Sequence, residues 1–186
     1  MQRVFAWPYR GILAFLIWTG IRPWQLSLLS LILTGVTGIL IVTGQWLAAG
    51  FVLIFAGACD VFDGSVARHR GEARRAGAFT DSVLDRVSDM ILFSCLFWRL
   101  AADGQTLEAA LALMTLVVSL GVSHVRAEAE AAGVTLSEGL FQRLERVLAL
   151  IVGLLIPHAM LPVLVALSVL GVITVVQRAL AALRGA

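Results

Sequence analysis

Four aspartates stand in one string: Asp60-x-x-Asp63-Gly64-x-x-Ala67-Arg68, eight residues, then Gly77-x-x-x-Asp81-x-x-x-Asp85. Asp60 and Asp63 are related as i and i+3, and Asp81 and Asp85 as i and i+4. On helices each pair therefore shares one face. Carboxylates are hard oxygen ligands. With no His or thiolate in the set they suit Mg²⁺, Mn²⁺ or Ca²⁺ rather than zinc. Four of them can hold two such ions, an arrangement that clamps a phosphoryl group during displacement. Arg68 presents a fixed fork of donors that suits a diphosphate oxygen. Gly64 and Ala67 leave the helix surface beside the acids without bulk, so a flat base or a pyrophosphate can approach. Gly77 allows close approach or an unusual φ just before the second pair. None of the specified positions is Ser, Cys or His, so the expected chemistry is direct displacement without a covalent enzyme intermediate.

These acids need elements to position them, and composition says what those are. The chain has 186 residues, 60% hydrophobic and 14% charged, with a mean hydropathy of +0.94. A soluble domain carries about 25% charge, so a membrane class is expected. A span needs roughly 20 apolar residues, which leaves room for about six. The expected fold is all-α: a polytopic membrane protein with six transmembrane helices, at 25–45, 47–68, 79–99, 107–130, 143–156 and 163–184. Residues 1–24 carry Arg3, Arg10 and Arg22 among aromatics and are interrupted by Pro8. They read as an interfacial helix lying on the membrane surface, retained rather than cleaved. The whole chain, 1–186, reads as one membrane domain. The short loop at 69–77 is expected to make the second and third spans antiparallel neighbours, so that the two acid pairs face each other.

Orientation follows from the basic residues. All 14 are Arg. With the N-terminus in the cytoplasm, the loops at 69–77 and 131–143 and the C-terminus share that side, and only Arg99 falls at an external end. The acids then sit at the cytoplasmic face of the inner membrane. Trp7, Trp18, Trp24, Trp46 and Trp98 fall near span ends, as interfacial anchors do. Cys59 and Cys95 read as reduced thiols in apolar surroundings. Asp89, one turn beyond Asp85 on the same face, is expected to pair with Arg86, the alternative being that it extends the acidic site. His124 reads as an interhelical histidine and His158 as part of an external turn. A divalent-cation channel or transporter would place its acids along a pore at mid-membrane, whereas here they cluster at one face beside an arginine. A nucleic-acid partner is not expected.

The string resembles, with no gap or substitution, the signature of the CDP-alcohol phosphotransferase family, and its eight specified positions make the match specific. The span pattern and length resemble that family across essentially the whole chain. The resemblance implies that Asp60, Asp63 and Asp81 are metal ligands. It implies that Asp85 is both general base and a ligand of a second metal, and that Gly64, Ala67, Arg68 and Gly77 line a cytidine diphosphate site together with Asp60. It further implies two Mg²⁺ ions per active site (Mn²⁺ being an alternative), a homodimer, CDP-diacylglycerol as donor, and a polar cavity open to the cytoplasm.

The acceptor alcohol is read from further arginines. Arg126, the pair Arg143 and Arg146, and Arg178 lie on three different spans and can converge on the acids. Converging arginines suit an acceptor that already carries phosphate. Singly, each reads more readily as an interfacial charge against lipid headgroups. The strings Ser123–Gly133, Gly139–Arg146 and Thr174–Arg178 resemble the phosphatidylinositol-phosphate synthase branch of the family. That resemblance implies that Arg126, Arg146 and Arg178 bind the phosphate of inositol 1-phosphate. Leu144 departs from the Pro usual in that branch, and Trp24 from the Asn frequent in the wider family. The alternative acceptor is glycerol 3-phosphate, as used by phosphatidylglycerophosphate synthases.

Overall fold

A computed structural model describes residues 6–70, 75–134 and 143–185. Among these residues there are seven helices and no strand: α1 (Ala6–Trp18), α2 (Pro23–Val42), α3 (Trp46–His69), α4 (Arg75–Ala102), α5 (Thr106–Ala131), α6 (Arg143–Leu155) and α7 (Met160–Gly185). Helices α2 to α7 coincide with the six expected apolar stretches. The expected loops at 69–77 and 132–142 fall partly outside the described residues, over 71–74 and 135–142, as do residues 1–5.

Among the described residues four helices, α2, α3, α5 and α7, are long and apolar enough to cross a membrane. Of α2 to α7, the described parts of α4 and α6 are not in that set. Helix α4 has 28 residues, but Asp81, Asp85, Arg86 and Asp89 interrupt its apolar run. The described part of helix α6, Arg143–Leu155, has 13 residues, about 20 Å of helix against a hydrocarbon core of about 30 Å, and residues 135–142 before it lie outside the described residues. At the N-terminus, Pro8 does not break α1. It falls in the first turn, where a backbone N–H has no intrahelical acceptor to lose.

The helices pack in a closed ring. Helix α2 contacts α3 and α4, α4 contacts α5, α5 contacts α7, α7 contacts α6, and α6 returns to α3, while α1 lies against α3. One expectation is overturned here. Helices α3 and α4 follow each other in sequence but make no close backbone approach among the described residues. They stand apart across the ring, so the two acid pairs meet over a gap rather than along a packed seam.

Tight turns set this order. Gly44 and Gly104 close the α2–α3 and α4–α5 connections at φ +77° and +76°, conformations that a side chain resists. The interior of the ring is filled by Leu53, Phe93, Leu96, Leu100, Leu150 and Leu164, each almost fully buried. Helices α3 and α6 come close because Gly50 has no side chain: a Cβ there would stand 3.3 Å from Leu154 Cβ and 2.5 Å from Leu155 Cδ2. Hydroxyls tie helices together from inside. Ser30 donates to the carbonyl of Ala56 at 2.9 Å, and Thr115 and Ser168 share a bond at 3.0 Å. Large apolar side chains such as Ile39, Phe51, Phe55, Val117 and Val169 cover the outside. That inverted surface suits a lipid solvent, in which backbone groups must be satisfied within helices.

Candidate active site

The charged ends of five helices meet at one end of the ring. The last turns of α3 carry Asp60, Asp63 and Arg68, and the first turns of α4 carry Asp81 and Asp85. The end of α5 carries Arg126, the start of α6 carries Arg143 and Arg146, and the end of α7 carries Arg178. A cavity of about 400 Å³ opens there. Asp81, Asp85, Asp89, Arg126, Arg146 and Arg178 are among the residues that line it. The three arginines proposed from sequence for an anionic acceptor thus share a cavity with two of the four motif aspartates. A second cavity of about 160 Å³ runs inward from Asp60, Asp85 and Asp89 toward Ser30, Thr34 and Ser88.

Asp60, Asp63 and Asp81 bring one carboxylate oxygen each to within 4.8 Å of one another. Two come from one face of α3 and the third from α4, as the helical spacing requires. Three like charges at this separation repel in a site half removed from water, and hard oxygen donors are the set that Mg²⁺, Mn²⁺ or Ca²⁺ prefers. The residues present therefore fit a divalent cation. Asp63 is buried, and Ser27 of α2 donates to its Oδ2 at 2.7 Å, which orients the carboxylate from behind.

Asp85 lies outside that trio and is engaged by Arg143, a pairing that sequence reasoning missed. Arg143 Nη1 donates to Asp60 Oδ2 and lies 2.8 Å from Asp85 Oδ1. The second contact is an ion pair not aligned as a hydrogen bond. Arg143 belongs to α6 and its two partners to α3 and α4, so no local spacing announces the contact.

Asp89 corrects another expectation. It does not pair with Arg86. Helical side chains tilt toward the N-terminus, and Arg86 reaches back to the carbonyl and hydroxyl of Ser82 at 3.0 and 2.8 Å, and across to the carbonyl of Ser123 at 3.3 Å. Asp89 instead binds Arg146 Nη2 at 3.0 Å and accepts from Ser119.

The remaining motif residues are placed differently. Arg68 is exposed and donates to Ser65 Oγ at 3.1 Å, and its Nη1 would stand 3.3 Å from a Cβ on Gly64. Ala67 is half-buried on the same helix. Gly77 lies inside α4 rather than before it. Its φ is not positive, and a Cβ there would meet nothing within 4 Å. Neither cavity is lined by Gly64, Ala67, Arg68 or Gly77. Of the arginines, Arg146 and Arg178 are buried, and Arg178 Nη1 donates to the carbonyl of Val122 at 3.1 Å. Arg126 is exposed and pairs with Glu130 at 2.8 Å.

Comparisons with known proteins agree with this architecture. A sequence model of the CDP-alcohol phosphatidyltransferase family matches residues 21–181. The chain is 38% identical to the phosphatidylinositol phosphate synthase of Corynebacterium glutamicum, over 85% of this chain and 76% of that one. It is 35% identical to the archaetidylinositol phosphate synthase of Methanothermobacter thermautotrophicus, over 73% and 70% of the two chains. Its fold is similar to the crystal structure of the Mycobacterium tuberculosis phosphatidylinositol phosphate synthase with CDP-DAG bound. The TM-score is 0.82 at 30% identity, covering 92% of each chain. A second structure of that protein, in complex with manganese and citrate, matches with a TM-score of 0.81, covering 93% of this chain and 88% of that one. The intact aspartate string, its convergence at one end of a helical ring and these likenesses lead to one conclusion: the chain belongs to the CDP-alcohol phosphatidyltransferase family and is a membrane transferase.

Proposed function

We propose that this enzyme transfers a phosphatidyl group from CDP-diacylglycerol to inositol 1-phosphate and releases CMP. The observation that carries the reading is the shared cavity: Asp81 and Asp85 line it together with Arg126, Arg146 and Arg178. An acceptor that brings its own phosphate would find cations there, beside the acid that must take its proton. The inositol phosphate synthases among the relatives support the choice of alcohol.

The residue roles follow. Asp60, Asp63 and Asp81 would hold a divalent cation, with Asp85 contributing to a second; Mg²⁺ is the expected ion and Mn²⁺ the alternative. When bound, such ions supply charge neutralisation to a diphosphate and improve CMP as a leaving group. Asp60, Gly64, Ala67, Arg68 and Gly77 form the donor side. Arg126, Arg146 and Arg178 hold the acceptor phosphate and so orient the attacking hydroxyl. Asp85 takes the hydroxyl proton as the acceptor oxygen bonds to the lipid-side phosphorus. The bond from that phosphorus to the CMP oxygen breaks, and its electron pair leaves with CMP.

The membrane frame belongs to the same reading. Helices α2 to α7 make six crossings, α4 and α6 with their charged ends in the cavity, and α1 lies along the interface. The active site faces the cytoplasm from the inner membrane, as the arginine distribution supports. Residues 1–186 act as one domain, and the enzyme works as a homodimer.

The test is an acceptor panel. Purified enzyme with CDP-diacylglycerol and Mg²⁺ is offered inositol 1-phosphate, inositol, glycerol 3-phosphate and serine, and CMP release is followed. Inositol 1-phosphate should support the fastest release and free inositol none above background. Faster release with glycerol 3-phosphate would reassign the chain as a phosphatidylglycerophosphate synthase.

A further inference from the structure

Asp89 is a carboxylate outside the aspartate string, and it sits where the cavities described above meet, lining both. It is 4% exposed, Arg146 6% and Ser119 2%. Its Oδ2 accepts from two directions: from Arg146 Nη2 of α6 at 3.0 Å, and from the hydroxyl of Ser119 of α5. Three helices are thus joined at one oxygen. A buried guanidinium needs a counter-charge, and a buried carboxylate needs donors; each supplies the other. The pairing leaves Arg146 with further N–H groups, and its buried Nε has no acceptor.

The position of Asp89 along α4 adds a second point. It stands one helical turn beyond Asp85, a rise of about 6 Å. The group that takes the acceptor's proton and the group that anchors an acceptor-binding arginine are therefore carried by one rigid turn of one helix. An arginine side chain left free samples many rotamers. One tied to α4 presents its remaining donors at a set distance from Asp85.

We infer that Asp89, braced by Ser119, is a positioning residue that holds Arg146 for the acceptor phosphate and so fixes the distance from that phosphate to Asp85. This rests on the reading of Arg146 as an acceptor-phosphate ligand. The inferred contribution is geometric rather than electrostatic. Asp89 lowers the positive charge of the cavity, which by itself weakens anion binding, so its benefit must lie in holding the arginine still.

Substitutions separate these effects. The full-length enzyme is assayed by CMP release while inositol 1-phosphate and CDP-diacylglycerol are varied in turn. Asp89→Ala should raise the KM for inositol 1-phosphate roughly tenfold and leave the donor KM within about twofold. Asp89→Asn keeps an oxygen acceptor for Arg146 and should return the acceptor KM to within about threefold of the parent. Adding Asp89→Ala to Arg146→Ala should raise the acceptor KM no further, because both act through one contact. Should Asp89→Ala fail to fold, Ser119→Ala removes the brace alone and should raise the acceptor KM about two- to fivefold.

Distinct results would overturn the inference. If Asp89→Ala leaves the acceptor KM unchanged or lowers it while Arg146→Ala raises it, Asp89 does not position Arg146, and the acceptor reading stands. An Asp89→Asn variant as impaired as Asp89→Ala would also refute the geometric role. If Arg146→Ala leaves the acceptor KM unchanged, the acceptor reading itself falls.

Discussion

Arg143 Nη1 stands 2.8 Å from Asp85 Oδ1, joining α6 to α4 across the gap that separates α3 from α4. The same nitrogen donates to Asp60. One cation thus touches a carboxylate that would ligate a metal and the carboxylate that would take the acceptor's proton. The contact makes Arg143 a competitor for the charge that a divalent ion needs.

Arg143→Gln removes that cation while keeping a hydrogen-bond donor. A unit charge about 4 Å away is worth about 1 kcal/mol in bulk water and about 4 kcal/mol at an effective dielectric near 20. Mn²⁺ affinity, followed by electron paramagnetic resonance of the free ion, should therefore tighten by roughly fivefold at the fully screened limit and by more where the site is drier. Weaker binding would mean that Arg143 supports the metal site instead of competing with it.

Asp85→Asn keeps the side-chain shape and removes the proton acceptor. Loss of a general base costs about 10²–10⁴-fold in rate. Turnover should fall by that order while binding of CDP-diacylglycerol, measured by calorimetry, stays close to that of the parent. Unchanged turnover would remove Asp85 from the proton-transfer role.

The arginines proposed to hold the acceptor phosphate should not be equal. Arg178 is buried and caps the carbonyl of Val122, whereas Arg126 is exposed and shares its charge with Glu130. Exposed, solvated pairs contribute little, and loss of a buried charged donor costs more. Arg178→Ala should raise the KM for inositol 1-phosphate roughly tenfold, and Arg126→Ala roughly two- to threefold. Steady-state kinetics with saturating donor measures the ratio, and equal effects would discard the depth argument.

Gly77 distinguishes folding from function. It lies in a helix with open space where a Cβ would go. Alanine there should stabilise the helix by about 0.5–1 kcal/mol. If the open space admits the CDP donor, Gly77→Ala should raise the donor KM several-fold, on the order of threefold or more, while thermal unfolding in detergent moves upward or not at all. An unchanged donor KM would place the nucleotide elsewhere.

Much of this protein could be read from local pattern. The apolar runs located helices α2 to α7, because burial in lipid or in a packed ring demands continuous apolar sequence. The i, i+3 and i, i+4 spacings put Asp60 with Asp63 and Asp81 with Asp85, because helical periodicity alone fixes which side chains share a face. Basic residues on three spans left convergence open as one reading, and Arg126, Arg146 and Arg178 do line one cavity.

Tertiary structure decided which faces meet. Sequence adjacency made α3 and α4 look like neighbours, yet the ring closes in the order α2, α3, α6, α7, α5, α4. That order depends on how side chains interlock, as at Gly50 against Leu154 and Leu155, and periodicity carries no such information. The same ordering gave Asp60 and Asp85 the partner Arg143, and gave Asp89 to Arg146 instead of Arg86. Each of those contacts joins residues far apart in the chain. A charge announces from sequence that it needs a counter-charge, but packing chooses which one it receives.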